Sequence, residues 1–155
     1  MPLCVSNKSL DIVRLLVKAG ANVNAADPDG GARPLSGPTA EVGEFLVARG
    51  ADINAFGYEN LTPLAYAAYD RNLALIVHLV SHGASVHRAH PANGITPLHY
   101  AASKCSATIL GVLLGAGADP NQPDAKGRTP LDWAESEGRT EEILGRLKGA
   151  HHPLQ

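Results

Sequence analysis

Seven histidines occur in this chain of 155 residues, and five of them fall between residues 78 and 99. His78 and His82 are four apart, so on a helix they share one face. Two imidazoles at that spacing can chelate a metal ion, and His87 or His90 is conceivable as a third ligand. The stretch that carries those two is turn-rich, HRAHPANGI, and should lead away from the helix. No metal and no cofactor is therefore expected, and metal-dependent or enzymatic chemistry through the histidines stays an alternative. Cys4 and Cys105 lack C-x-x-C spacing and read as reduced thiols in or near the core. No G-x-S-x-G, P-loop, H-E-x-x-H or dinucleotide fingerprint is present, and no nucleophile stands at a readable spacing from a base. Catalysis is not expected.

Composition narrows the class. At 45% hydrophobic and 18% charged residues, the chain reads as folded. Its net charge is −2, with Lys and Arg scattered among acidic neighbours, so no basic stripe for nucleic acid emerges. No apolar run reaches the ~18 residues that a membrane span needs. The stretch MPLCVSNKSLDIVR has no basic segment followed by an apolar core, so the cytoplasm is the expected compartment.

The elements that position these residues recur. Thr-Pro-Leu occurs at residues 62–64, 96–98 and 129–131, in steps of 34 and 33. Gly-Ala occurs at residues 20, 50, 83 and 117, in steps of 30, 33 and 34. Two landmarks with one period mark a repeat array. Thr before Pro is a good helix start, since Thr caps and Pro suits the first turn. Leu98, Ala101 and Ala102 fall on one side of a short helix. Leu73, Ile76, Leu79 and Val80 follow helical spacing and should be core. Gly83 sits where a left-handed residue ends that helix.

Thr96-Pro97-Leu98-His99-Tyr100-Ala101-Ala102 and the run Leu10–Ala25 resemble the ankyrin repeat. The resemblance covers nearly the whole chain. It implies a mainly α fold, an ankyrin-repeat solenoid of helix-turn-helix units joined by β-hairpin loops. One domain over 1–155 is expected, with a partial unit at 1–24, a shortened one at 25–54, then 55–87, 88–121, a C-terminal cap at 122–150 and a tail at 151–155. Met1-Pro2-Leu3-Cys4 imitates the TPLH opening. The cap unit holds eleven of the 28 Asp, Glu, Lys and Arg residues, which suits a face turned to water. By the same resemblance, His99 ties neighbouring turns together, Trp133 closes the core end, and Asn24, Asn54 and Asn121 bond hairpin backbone.

The second unit departs from the pattern. Between Leu35 and Gly50 it has fourteen residues, where the fourth unit has eighteen between Leu98 and Gly117. Ser36-Gly37 stand in place of His-Tyr-Ala-Ala-Ser-Lys, so most of the inner helix is missing. Pro38 and Thr39 then open the outer helix directly, with Glu41 and Glu44 near its positive end. A stack tolerates this because each unit touches only its neighbours. Simple drift and a shaped recess for a partner are both open readings.

The resemblance also implies a use. Ankyrin units bind proteins through the concave face and hairpin tips. By position those residues are Tyr58, Glu59, Leu61, Tyr69 and Asp70, then Asn93, Ile95, Ser103 and Lys104, then Lys126, Arg128, Ser136 and Glu137. Tyr58 and Tyr69 offer the most contact area. A second surface is suggested by charge: no acidic residue lies between Asp70 and Asp119. Ala74, Val77, His78, Ser81 and His82, with Thr108, Gly111, Val112, Gly115 and Ala116, make a charge-poor back. A weak homodimer there and a plain solvated face are the two readings. The leading function is a non-catalytic protein-interaction module, or scaffold, with a protein partner and neither nucleic acid nor membrane. The alternatives are a stand-alone inhibitor or immunity-type protein that neutralises an enzyme or toxin, and a fragment of a larger protein.

Overall fold

Threonine, proline and leucine recur because each does one job where a helix begins. The computed structural model describes residues 9–28, 31–104 and 106–150. Over these the chain forms α1 (Leu10–Lys18), α2 (Ala40–Ala48), α3 (Pro63–Tyr69), α4 (Leu73–Ser81), α5 (Pro97–Lys104), α6 (Ala107–Gly115), α7 (Pro130–Ser136) and α8 (Glu141–Ala150). Thr62, Thr129 and Thr39 cap α3, α7 and α2, accepting from the N–H groups of Ala65, Asp132 and Val42. Proline follows Thr62 and Thr129 at a position whose missing donor costs nothing. Met1–Cys4, Cys105 and the 151–155 tail lie outside the described residues.

The helices stand in two rows. α3, α5 and α7 pack side by side as the inner row, and α1, α2, α4, α6 and α8 follow one another as the outer row. α3 pairs with α4, α5 with α6 and α7 with α8. The core lies between the rows. The inner side contributes Ala67, Ala68, Ala101, Ala102 and Ala134 together with Leu64 and Leu98, and the outer side contributes Leu46, Leu75, Ile76, Leu79, Leu110, Leu113 and Leu147. The alanines let the rows approach closely, and each buried leucine contributes about 1.5–3 kcal/mol. The outer helices α1, α2, α4 and α6 end at Gly20, Gly50, Gly83 and Gly117, all with φ between +82° and +88°. That left-handed conformation suits glycine at a helix end.

The connections turn back on themselves without forming a strand element among the described residues. An equivalent backbone bond helps close each: Asp27 N–H to Ala32, Gly57 N–H to Leu61, His90 N–H to Ile95 and Asp124 N–H to Arg128. Asparagine links successive connections. The Asn24 amide accepts from Asp52 N–H at 2.7 Å and donates to the Gly50 carbonyl at 3.0 Å; Asn54 accepts from Ser85 N–H at 2.8 Å.

The second unit lacks its inner helix. Pro34–Gly37 form turns and bends, and α2 follows. Leu35 stays buried and keeps the place of Leu98. Arg33 stands where the other units have Thr, and its guanidinium donates to the Asn24 carbonyl at 2.5 Å and to the Phe56 carbonyl at 3.0 Å. It thereby joins the connections on either side. The Tyr66 ring lies directly against Gly37: a Cβ on Gly37 would lie 2.5 Å from Tyr66 Cε1. One core expectation is corrected. Leu73 opens α4 and is 37% exposed, while Leu75 is 1% exposed because it packs against Gly43 of α2. Among the described residues no helix is long and apolar enough to cross a membrane.

Candidate partner-binding surface

The inner row presents an aromatic stripe. Four residues after each inner-helix Thr stands an aromatic residue: Tyr66, Tyr100 and Trp133. Tyr69, one turn beyond Tyr66, bridges the first two. Its ring lies 6.4 Å from that of Tyr66 and meets Tyr100 edge-on at 5.7 Å. Tyr100 meets Trp133 edge-on at 6.2 Å, and His99 meets Trp133 at 5.4 Å. These geometries are the favoured ones for aromatic pairs. Lys104 lays its ammonium 4.0 Å from the Tyr69 ring centre, a cation–π contact. Burial, then the nearby Asp70 carboxylate, pushes the Tyr66 hydroxyl above its ordinary value; burial, then Glu59, does the same to Tyr100. Both hydroxyls therefore stay protonated at neutral pH.

Polar groups fix the stripe from behind. His99 is fully buried. Its Nδ1 accepts from Thr96 N–H at 3.1 Å, and its Nε2 donates to the Arg128 carbonyl at 3.0 Å. That pattern needs a neutral ring, and burial lowers its pKa accordingly. Asp124, also buried, accepts from Lys126 N–H, Arg128 N–H, the Arg128 guanidinium and the Trp133 indole N–H. Burial would raise its pKa, but those donors outweigh it and hold the carboxyl far below its ordinary range. Arg128 in turn lies 5.0 Å from the Trp133 ring centre. Asp132 completes a capping box with Thr129.

The tip of the second connection, which opens the third unit, is built differently from the rest. Gly31, Gly94 and Gly127 take positive φ two residues before the opening of the following motif. At that place the third unit has Asn60 at φ 56°, preceded by Glu59 at φ 52°. Neither is glycine, and a Glu there is strained. The Glu59 carbonyl accepts from His90 Nε2 at 3.0 Å, which locks the tip to the next connection. Tyr58 beside it is 47% exposed and Tyr69 is 46% exposed.

The residues singled out by position divide into three sets. Tyr58, Glu59, Tyr69, Asp70, Lys104, Lys126, Ser136 and Glu137 are exposed, and Asn93 and Ile95 are half-buried. Arg128 is exposed but committed to Asp124 at 2.9 Å. Leu61 and Ser103 are corrections: both are buried, Leu61 at 6% and Ser103 at 7% exposure, so neither meets a partner first. Leu61 closes the turn, and Ser103 bonds back to the Tyr100 carbonyl. Tyr66 and Tyr100 are absent from the surface expected by position, and Trp133 is expected there only as the residue that closes the core end. The signal was present, because all three stand at one offset from the repeating Thr-Pro-Leu.

On the opposite face, Ala74, Val77, Ser81, Thr108 and Gly115 are exposed, Val77 at 48%. His78 and Gly111 are half-buried, and Arg146 of α8 reaches over Gly111. The back is therefore not free of charge at that point. His78 and His82 stack with centroids 4.1 Å apart, and burial, then His82, lowers the His78 pKa. His90 is turned instead to Glu59. Among the described residues no three His, Cys, Asp or Glu side chains come together as a metal site.

Comparison with known proteins gives the family. A profile of ankyrin repeats, three copies, matches residues 32–124 and 86–151, and a single ankyrin repeat profile matches residues 1–28. Human ARF GTPase-activating protein GIT1 is 43% identical over 83 residues, 54% of this chain and 11% of that protein. Zinc finger CCCH domain-containing protein 29 of Arabidopsis thaliana is 33% identical over 108 residues, 66% of this chain and 18% of that protein. Zinc finger CCCH domain-containing protein 50 of Oryza sativa subsp. japonica is 34% identical over 134 residues, 80% of this chain and 20% of that protein. The chain thus spans a tenth to a fifth of the length of these relatives.

Proposed function

Because the chain belongs to the ankyrin repeat family, we propose that it is a non-catalytic module that binds one protein partner through its concave face and hairpin tips. The observation that carries this reading is the aromatic stripe Tyr66–Tyr69–Tyr100–Trp133, continued outward by Tyr58. Rings held against one another lose little freedom on binding, and large amphipathic rings dominate interface energetics. Glu59, Asp70 and Lys104 border the stripe and supply polar specificity. The location included in this reading is the cytoplasm, which fractionation of source cells tests.

The binding test is affinity capture from source cells with the wild type and with Tyr58→Ala/Tyr69→Ala. The double variant weakens binding at least tenfold, about 1.4 kcal/mol, while its melting temperature stays close to that of the wild type. A partner held equally well by the variant removes the concave face as its site.

A further inference from the structure

Successive outer helices enclose grooves of one construction, and their linings differ sharply. Counted back from the glycine that ends each helix, the positions that line the groove between α1 and α2 have equivalents on the later outer helices. Between α4 and α6 they are Val77, Ser81, Val112, Gly115 and Ala116, with no charge. Between α2 and α4 they are Glu44, Ala48, His78, Ser81 and His82. Between α1 and α2 they are Arg14, Lys18, Phe45, Ala48 and Arg49, which line a cavity of about 580 Å³. The fold does not require cations there, since the other units manage with valine, serine and alanine. Attraction to the helix C-termini accounts for Lys18 and Arg49 singly, but not for Arg14, which lies mid-helix.

Three facts make this groove a site. All three cations are exposed. Among the described residues none of them forms an ion pair. Phe45 gathers two of them, with the Arg14 guanidinium 5.8 Å and the Arg49 guanidinium 4.7 Å from its ring centre. A ring that holds two planar forks pre-orients them, and guanidinium forks match phosphate oxygens two bonds at a time. The volume lies within the range of small-ligand sites, about 300–1,000 Å³.

We propose that the groove between α1 and α2 binds a phosphate-type oxyanion carrying at least two negative charges. Arg14 and Arg49 bond its oxygens, Lys18 adds the third positive charge, and Phe45 meets any apolar part. This goes beyond the concave-face reading and uses none of its residues. The phosphate is either free or the head group of a lipid. Calorimetry with inorganic pyrophosphate tests the first source. Co-sedimentation with phosphatidylcholine vesicles carrying phosphatidic acid, against phosphatidylcholine alone, tests the second. Saturable binding in either arm, weakened at least tenfold by Arg14→Gln/Arg49→Gln and unchanged by Glu44→Gln, supports the site and names its source. Lys18→Gln leaves the Phe45 contacts intact and weakens binding about threefold, which keeps the test open if the double variant folds poorly. No saturable signal in either arm overturns the proposal, as does equal binding by the variants.

Discussion

Residues 33–50 and 96–117 start with the same Pro-Leu and end at the same left-handed glycine, but only the later stretch has two helices. Its inner helix α5 holds His99, bonded to the turn before it and to the next unit, and Tyr100, seated between Tyr69 and Trp133. The earlier stretch has Ser36 where His99 stands and Gly37 where Tyr100 stands. It keeps Leu35 in the core and α2 packed between α1 and α4. The difference separates two jobs that a complete unit combines. An outer helix and a connection are enough to continue the stack. The inner helix adds the polar tie between units and the aromatic surface.

Three experiments break or sharpen that comparison. The largest effect is expected from His99→Ala, which leaves the Thr96 N–H and the Arg128 carbonyl unpaired beside a cavity and costs about 3 kcal/mol. Ser36→Ala, at the matching place, loses only a bond from Arg33 N–H of 3.3 Å and costs about 1 kcal/mol or less. Urea unfolding measures both, and equal costs would erase the distinction. Next comes Gly37→Ala. Its φ of +110° disfavours a side chain and the new Cβ meets Tyr66, for a loss of about 2 kcal/mol. Pairing it with Tyr66→Leu should recover the steric share; a double-mutant cycle without coupling would show that the ring does not fill this place.

The smallest effect is on acidification. His99 and His78 have pKa values lowered by burial, so the folded protein favours the neutral rings. Their contribution to stability is complete above the ordinary histidine value, about 6.5, and is lost as pH falls below it. The melting temperature should drop between pH 7 and pH 5, and less so in His99→Gln. A wild type with a flat profile across that window contradicts the assignment.

Much of the fold was legible because its signals are local and repeat. Thr-Pro-Leu marks helix starts, Gly-Ala marks helix ends, and a four-residue deficit located the missing helix. Leu73 was misplaced because helical spacing alone does not say which of two adjacent leucines faces the neighbouring unit; Gly43 across the groove decides for Leu75. The surface was less legible. Tyr58 and Tyr69 were visible as aromatic residues at exposed positions, but the continuity of the stripe depends on ring-to-ring distances between units. Leu61 and Ser103 stand at outward positions by count, and their burial follows from turn closure and a backward bond that sequence does not show. The basic groove is assembled from α1 and α2, about thirty residues apart in the chain, so no single stretch looks basic.

The missing inner helix also bears on how the molecule comes apart. Among the described residues α1 packs chiefly on α2, and no inner helix of the second unit stands beside it. Among the described residues, the junction of α1 with α2 therefore lacks the second row of helix contact that joins the later units, and it is the place where local opening gives up least. Arg14 and Lys18 leave with α1 when that junction opens, whereas the rings from Tyr66 to Trp133 sit in the three paired units beyond it. A transient loosening of one short helix would dissolve the cationic groove and leave the aromatic face standing, so the two surfaces need not be lost together.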